Sequence, residues 1–218
     1  MIFRNPVDAA VSFYNFFNGW FFPSSQLDEM HIEVDDFIEH FVLRRGKPIN
    51  HMVNASIWDF MISWLPYSKA NADRVRQSNE RKSSEFDDIK VLPLFFEDMK
   101  EDLEAVVKIV AQFIGVKDED GDLIKKVVEM SSFKYMKEHE DKFDENVTKR
   151  FRNEAMGLPR DAGMTNSKVS GVQQTANKVQ MSSEMMMKLE QRWKDSITTR
   201  FGYETYDDLR RSLGLVSC

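Results

Sequence analysis

Arg4 and Ser12 are the first side chains in the sequence with the chemistry to hold an anion. They stand eight positions apart across Asn5-Pro6-Val7-Asp8. A guanidinium offers a forked set of donors that matches a phosphate, and a serine hydroxyl adds a neutral donor beside it. With Arg4 just ahead of a helix and Ser12 two turns into it, the pair can converge on one anion. The same residues allow a plainer arrangement, in which Arg4 pairs with Asp8 and Ser12 faces solvent. No glycine-rich phosphate cradle accompanies them. The nine glycines lie at 19, 46, 115, 121, 157, 163, 171, 202 and 214, none closer than six positions to another. A G-x-x-x-x-G-K-[ST] loop needs glycines five apart and a G-x-G-x-x-G fingerprint needs them two and three apart. Both are excluded.

Other chemistries find little support. The histidines at 31, 40, 51 and 139 form no i, i+4 pair and no H-E-x-x-H, so no metal site is expected. There is no G-x-S-x-G nucleophile turn. The adjacent acids Asp35-Asp36, Asp87-Asp88, Glu97-Asp98 and Asp207-Asp208 fit helix capping better than acid–base work. A net charge of −6, from 36 acids and 30 bases, argues against nucleic acid as a partner. Cys218, the single cysteine, allows no internal disulfide and points to a reducing, cytoplasmic setting. Residues 9–27 carry no charge and hold seven aromatics. Ser12, Asn15 and Asn18 nevertheless draw a polar stripe along them, which argues against a membrane span. Asp8, with no small-residue cleavage site after it, makes a signal peptide a poor fit.

The elements that must position Arg4 and Ser12 can be read from caps and periodicity. Asn5 caps a helix, Pro6 suits its first position and Asp8 favours its positive end, with the helix running to about Phe22. Helices are predicted over 34–45, closed by Gly46, and over 50–65, ended by Pro66. Residues 68–88 read as a polar loop or solvated helix end, and 90–96 as a short buried strand with Pro93 at an edge or bulge. A stripe of Leu103, Val106, Val107, Val110 and Ile114 predicts a helix stopped by Gly115. Further helices are predicted over 122–130, from Ser182 or Ser183 to about Phe201, and within 203–213, with an irregular stretch over 157–180. The chain is long enough for a sizeable core, and one domain over 1–218 accounts for it.

Two blocks are more specific. R-N-P-V-D-A-A-V-S covers residues 4–12 and is followed by Phe13-Tyr14. V-L-P-L-F-F-E-D-M-K-E-D covers 91–102 and leads, after a helix, to S-S-F-K-Y-M-K at 131–137. In this order and spacing they resemble the C-terminal part of the soluble, cytosolic-type sulfotransferase family. The resemblance implies an α/β, P-loop-nucleotide-hydrolase-like fold, helix-rich around a small parallel sheet. It implies transfer of a sulfuryl group from 3′-phosphoadenosine 5′-phosphosulfate (PAPS) to the hydroxyl or amine of a small-molecule acceptor, without a metal. By resemblance, Arg4 and Ser12 hold the 3′-phosphate. Phe96, where many members have tyrosine, would stack on adenine with Ser131 and Phe133 beside it, although both phenylalanines also suit a core. Gly171 is what remains of an Arg-Lys-Gly run that closes over the same phosphate.

The family also carries a P-K-S-G-T-[ST]-W loop and a catalytic histidine ahead of the Arg4 block. Met1 stands three residues before Arg4 and every histidine follows the block. The expectation is therefore a domain truncated at its N-terminus, without a catalytic residue of its own and nearly inactive alone. Loss of a first strand would leave an unpaired sheet edge. The alternative is a catalytically inactive nucleotide-sensing or protein-interaction module derived from the family.

Overall fold

The computed structural model describes residues 1–21, 32–46, 55–76, 91–118, 121–143, 146–162 and 181–214. Strand β1 (Ile2–Phe3) runs parallel to β2 (Leu94–Phe95), with Ile2 opposite Leu94 and Phe3 opposite Phe95. The pairing is extended by the Leu94 N–H, which donates to the Met1 carbonyl at 2.8 Å. Parallel strands need a long crossover, and helices α1 (Pro6–Phe21), α2 (Val34–Phe37) and α3 (Ile57–Arg76) lie along it. Helix α2 passes directly into a π-helical turn, Ile38–Val42.

After β2 come α4 (Phe96–Glu101), α5 (Leu103–Ile114), α6 (Asp122–Ser131) and α7 (Phe133–Glu138), then a 3₁₀ turn, Glu140–Phe143. Helix α8 (Asn146–Ala155) follows, then α9 (Ser183–Trp193), which continues through a π-helical Lys194–Thr198 into α10 (Thr199–Phe201). Helix α11 (Tyr206–Leu213) is the last element described. The result is a helix-rich α/β architecture around a small parallel sheet.

The local signals act as anticipated where they are local. The Asn5 side chain accepts the Val7 N–H at 2.9 Å, capping α1. Asp102 caps α5 through the Ala105 N–H at 2.9 Å, and Gly115 closes it at φ 76°. Of the two serines offered as a cap for α9, Ser182 takes the role by accepting the Met185 N–H at 3.2 Å. Three helices, α4, α7 and α8, were not anticipated.

Helix α3 departs from expectation at both ends. It begins only at Ile57, where Ser56 and Asp59 form a reciprocal cap: the Asp59 carboxylate accepts the Ser56 N–H at 2.9 Å, and Ser56 Oγ accepts the Asp59 N–H at 3.0 Å. It then continues past Pro66. Trp58, Met61, Leu65 and Ser68 are all buried at helical spacing. That continuous inward stripe offsets the single hydrogen bond that proline removes. The expected strand over 90–96 contracts to Leu94–Phe95, because Pro93 can donate no ladder bond and Phe96 already opens α4.

The core joins the sheet to helices α1, α2, α3, α9 and α11, with Val34 and Phe37 of α2 in it. Phe3 and Phe95 from the strands pack with Ala10 and Tyr14 of α1, Trp58 and Leu65 of α3, Leu189 and Trp193 of α9, and Tyr206 and Leu213 of α11. Helices α5 to α7 lie to one side. Only Val106 among their residues is buried.

Candidate functional site

Register brings the site together. Because Phe3 faces Phe95 across parallel strands, the residues that immediately follow the two strands, Arg4 and Phe96, stand beside each other. The Arg4 guanidinium carbon lies 4.6 Å from the Phe96 ring centroid, and the Lys100 ammonium is 6.0 Å from the same ring. A cation over an aromatic face at this range contributes about 0.5–2 kcal/mol. The Arg4 Nε is buried without a hydrogen-bond partner among the described residues. Leaving such a donor unsatisfied costs about 1–3 kcal/mol, a cost that an anion at this point would relieve. The alternative pairing with Asp8 does not form among the described residues: Asp8 is exposed and no ion pair joins it to Arg4.

The other expected contacts are distributed differently. Ser12 is half-buried on α1, with no hydrogen bond to Arg4. Ser131 ends α6 and is exposed, and Phe133 opens α7 at 50% exposure. Neither has a ring contact or hydrogen bond to Arg4 or Phe96. Gly171 lies outside the described residues. Arg4 and Phe96 are thus the two expected site residues that the structure joins.

A polar latch missed in the sequence holds this corner in place. One oxygen of Glu97 accepts the Asn5 N–H at 3.1 Å, and the other accepts the Tyr206 hydroxyl at 2.6 Å. One carboxylate therefore ties the backbone next to Arg4 to the last helix. Burial first, then the hydrogen bond to Glu97, push the Tyr206 phenol well above the ordinary tyrosine range. Beside it, Arg210 Nε donates to the buried Asp98 carboxylate at 2.6 Å and its second arm reaches Glu101. The hydrogen bond to Glu101, and after it that to Asp98, hold the Arg210 guanidinium still more firmly charged than usual, against the opposing effect of burial.

These contacts correct the capping role expected of Glu97 and Asp98. Both sit at the start of α4, yet neither caps it; they reach across to α1 and α11 instead. Asp208 does cap, in a reciprocal box with Thr205. That Thr205-x-x-Asp208 pattern is the signal that could have located the start of α11 and the inward position of Tyr206.

The described histidines are engaged elsewhere or exposed. His139 stacks on Tyr135 at 4.1 Å and its Nδ1 lies 2.9 Å from the Tyr135 carbonyl, while His40 is exposed on the π-helical turn. Among the described residues no helix is long and apolar enough to cross a membrane. No group of three or more histidine, cysteine, aspartate or glutamate side chains gathers there to hold a metal.

No curated protein matches the chain. The family model of the sulfotransferase domain matches residues 1–198, a span that takes in both strands, the Arg4–Phe96 contact and Glu97. By that match over most of its length, the chain belongs to the sulfotransferase domain family.

Proposed function

We propose that this chain binds the nucleotide of a sulfuryl donor, PAPS, and serves its transfer to the hydroxyl or amine of a small-molecule acceptor. The observation that carries the reading is the Arg4 guanidinium, its buried Nε unpartnered, beside an aromatic ring at the C-terminal ends of two parallel strands. Crevices at such strand ends are where open α/β sheets bind ligands. The N-terminus of α1 immediately follows and favours negative charge.

Bound there, the co-substrate supplies an activated sulfur–oxygen bond that breaks as the acceptor oxygen or nitrogen bonds to sulfur. This chain's residues do the holding. Arg4 takes the 3′-phosphate, with Ser12 and Gly171 as further contacts. Phe96 offers a ring face to adenine, with Ser131 and Phe133 as the further adenine contacts that the family resemblance implies. Glu97 keeps the Asn5 backbone, and with it Arg4, in register. Such a clamp fixes position, whereas rate also needs a base for the acceptor's proton. No described histidine stands at the Arg4–Phe96 corner, which favours slow or absent transfer by this chain alone. It also makes a nucleotide-sensing module derived from the family the second reading.

Calorimetry with adenosine 3′,5′-bisphosphate tests the assignment. Binding is expected, and Arg4→Ala is expected to weaken it roughly tenfold to a hundredfold, the worth of a charge-assisted hydrogen bond. Binding unchanged by that substitution overturns the role of Arg4. A radiolabelled sulfuryl-transfer assay separates the two readings.

A further inference from the structure

Helix α6 is amphipathic, yet none of its residues is buried. Leu123, Val127 and Met130 recur at helical spacing and so form one apolar stripe along it. The half-buried Ile124 and Val128 lie on one flank of that stripe. The Asp118 carboxylate accepts the Ile124 N–H at 2.7 Å, which ties the connection from α5 to the first turn of α6. Ile114 and Val116, at the end of α5, thereby extend the same surface. These five side chains are between 38% and 65% exposed. They present on the order of 400 Å² of apolar surface, within the range at which an exposed patch marks an interaction site. Homodimer interfaces are about 65% apolar, so a patch of this kind belongs to a face of about 600 Å² per copy, or about 1,200 Å² in all. Specific, stable interfaces begin at that size.

The charges beside the stripe are ordered to suit a second copy. Lys125 pairs with Asp122 within the helix at 3.3 Å. Lys126 and Glu129 are exposed, and no ion pair engages either of them among the described residues. At 3.6 residues per turn both fall on the flank away from Ile124 and Val128. When two copies of α6 meet antiparallel, with the two-fold axis near Val127, that flank of one copy meets the same flank of the other. Lys126 then stands beside the partner's Glu129, and the operation makes the same pair twice. A parallel arrangement would instead set Lys126 against its own copy, with like charges opposed.

We propose that α6 is a homodimer interface, on which a second copy of this chain packs antiparallel. Leu123, Val127 and Met130 form its apolar centre, Ile114 and Val116 extend it, and two Lys126–Glu129 ion pairs border it. The face stops short of Ser131 and Phe133, and the inference stands whether or not the nucleotide reading holds. Burial of the stripe drives association, while the bordering charges choose the orientation.

The test is analytical ultracentrifugation of the full chain from about 1 to 100 μM, where an interface of this size dissociates if its affinity is micromolar. The mass is expected to rise to that of two chains. Val127→Glu sets a charge at the two-fold axis and should leave only single chains, with far-UV circular dichroism unchanged because Val127 is exposed. Lys126→Glu and Glu129→Lys should each weaken the dimer at least about tenfold. Mixing those two variants should restore it, since one then carries two acids on that flank and the other two bases. Restoration on mixing can arise only between copies. A single-chain mass throughout the range overturns the proposal and leaves the stripe to a different protein or segment. A dimer untouched by Val127→Glu overturns it as well, because the contact then lies on another face. Mixed variants that fail to associate refute the antiparallel pairing.

Discussion

Replacing Arg210 by methionine should destabilise the fold far more than its position near the end of the chain implies. The Arg210 side chain is 15% exposed and that of Asp98 only 5%, with Nε and Oδ1 at 2.6 Å. Removing one partner strands the other charge in a poorly solvated position, which costs about 3–5 kcal/mol. An exposed pair such as Lys108–Glu104, at 60% and 59% exposure, contributes about 0–1 kcal/mol. Arg210 also holds Glu101, so the same substitution removes a second ion pair. For a chain of this length each kcal/mol moves the melting temperature by about 2–4 °C, so a fall of roughly 6–12 °C or more is expected. Calorimetric melting and urea denaturation measure it. The second arm is Arg210→Met combined with Asp98→Leu, which removes both charges and should recover part of the loss. A single-variant loss under about 1 kcal/mol refutes the reasoning. So does a double variant as unstable as the sum of its parts, since the cost must come from an orphaned charge.

Two further outcomes follow from the same geometry. Tyr206→Phe should cost about 1.5–3 kcal/mol by removing a hydrogen bond to the Glu97 carboxylate, and should weaken adenosine 3′,5′-bisphosphate binding by loosening the Asn5 segment. Because the Tyr206 phenol is raised in the folded state, its contribution is fully present below the unfolded value of about 10 and is lost as pH rises above it. The stability gap between the unsubstituted protein and Tyr206→Phe should therefore narrow above about pH 10, and a gap that stays constant in urea titrations across that range contradicts the assignment. Gly46→Ala should destabilise by about 2 kcal/mol or more, because Gly46 sits at φ 78° and a methyl there would collide with the Asp59 carboxylate of the α3 cap. Denaturation of the variant in the same buffer checks it, and a change under about 0.5 kcal/mol shows that the cap yields without cost.

The candidate site was legible in part. Arg4 and Phe96 could be named from two sequence blocks, and the strands then place them side by side. Glu97 was visible only as one of an acid pair. Its partners are 92 and 109 residues away, at Asn5 and Tyr206, and no local pattern encodes a hydrogen bond across that distance. Ser131 and Phe133 were named by block alone, and their exposed positions show how little a short motif says about which surface it meets.

What the sequence by itself determined were the features governed by the nearest few residues. Asn5 and Ser182 cap their helices, Gly115 stops another, and the Leu103–Ile114 stripe forms a helix, because caps and periodicity act within a turn or two. Tertiary structure decided the rest. It carried α3 through Pro66, since burial of one continuous face outweighs one lost backbone bond. It reduced a seven-residue apolar run to the two residues that find a partner strand. It also turned two acids from presumed caps into long-range ties, Glu97 to the Asn5 backbone and Asp98 to Arg210. Local rules choose helix starts and stops because their energies are local. The site depends on strand register and buried charge, whose energies exist only after distant segments meet.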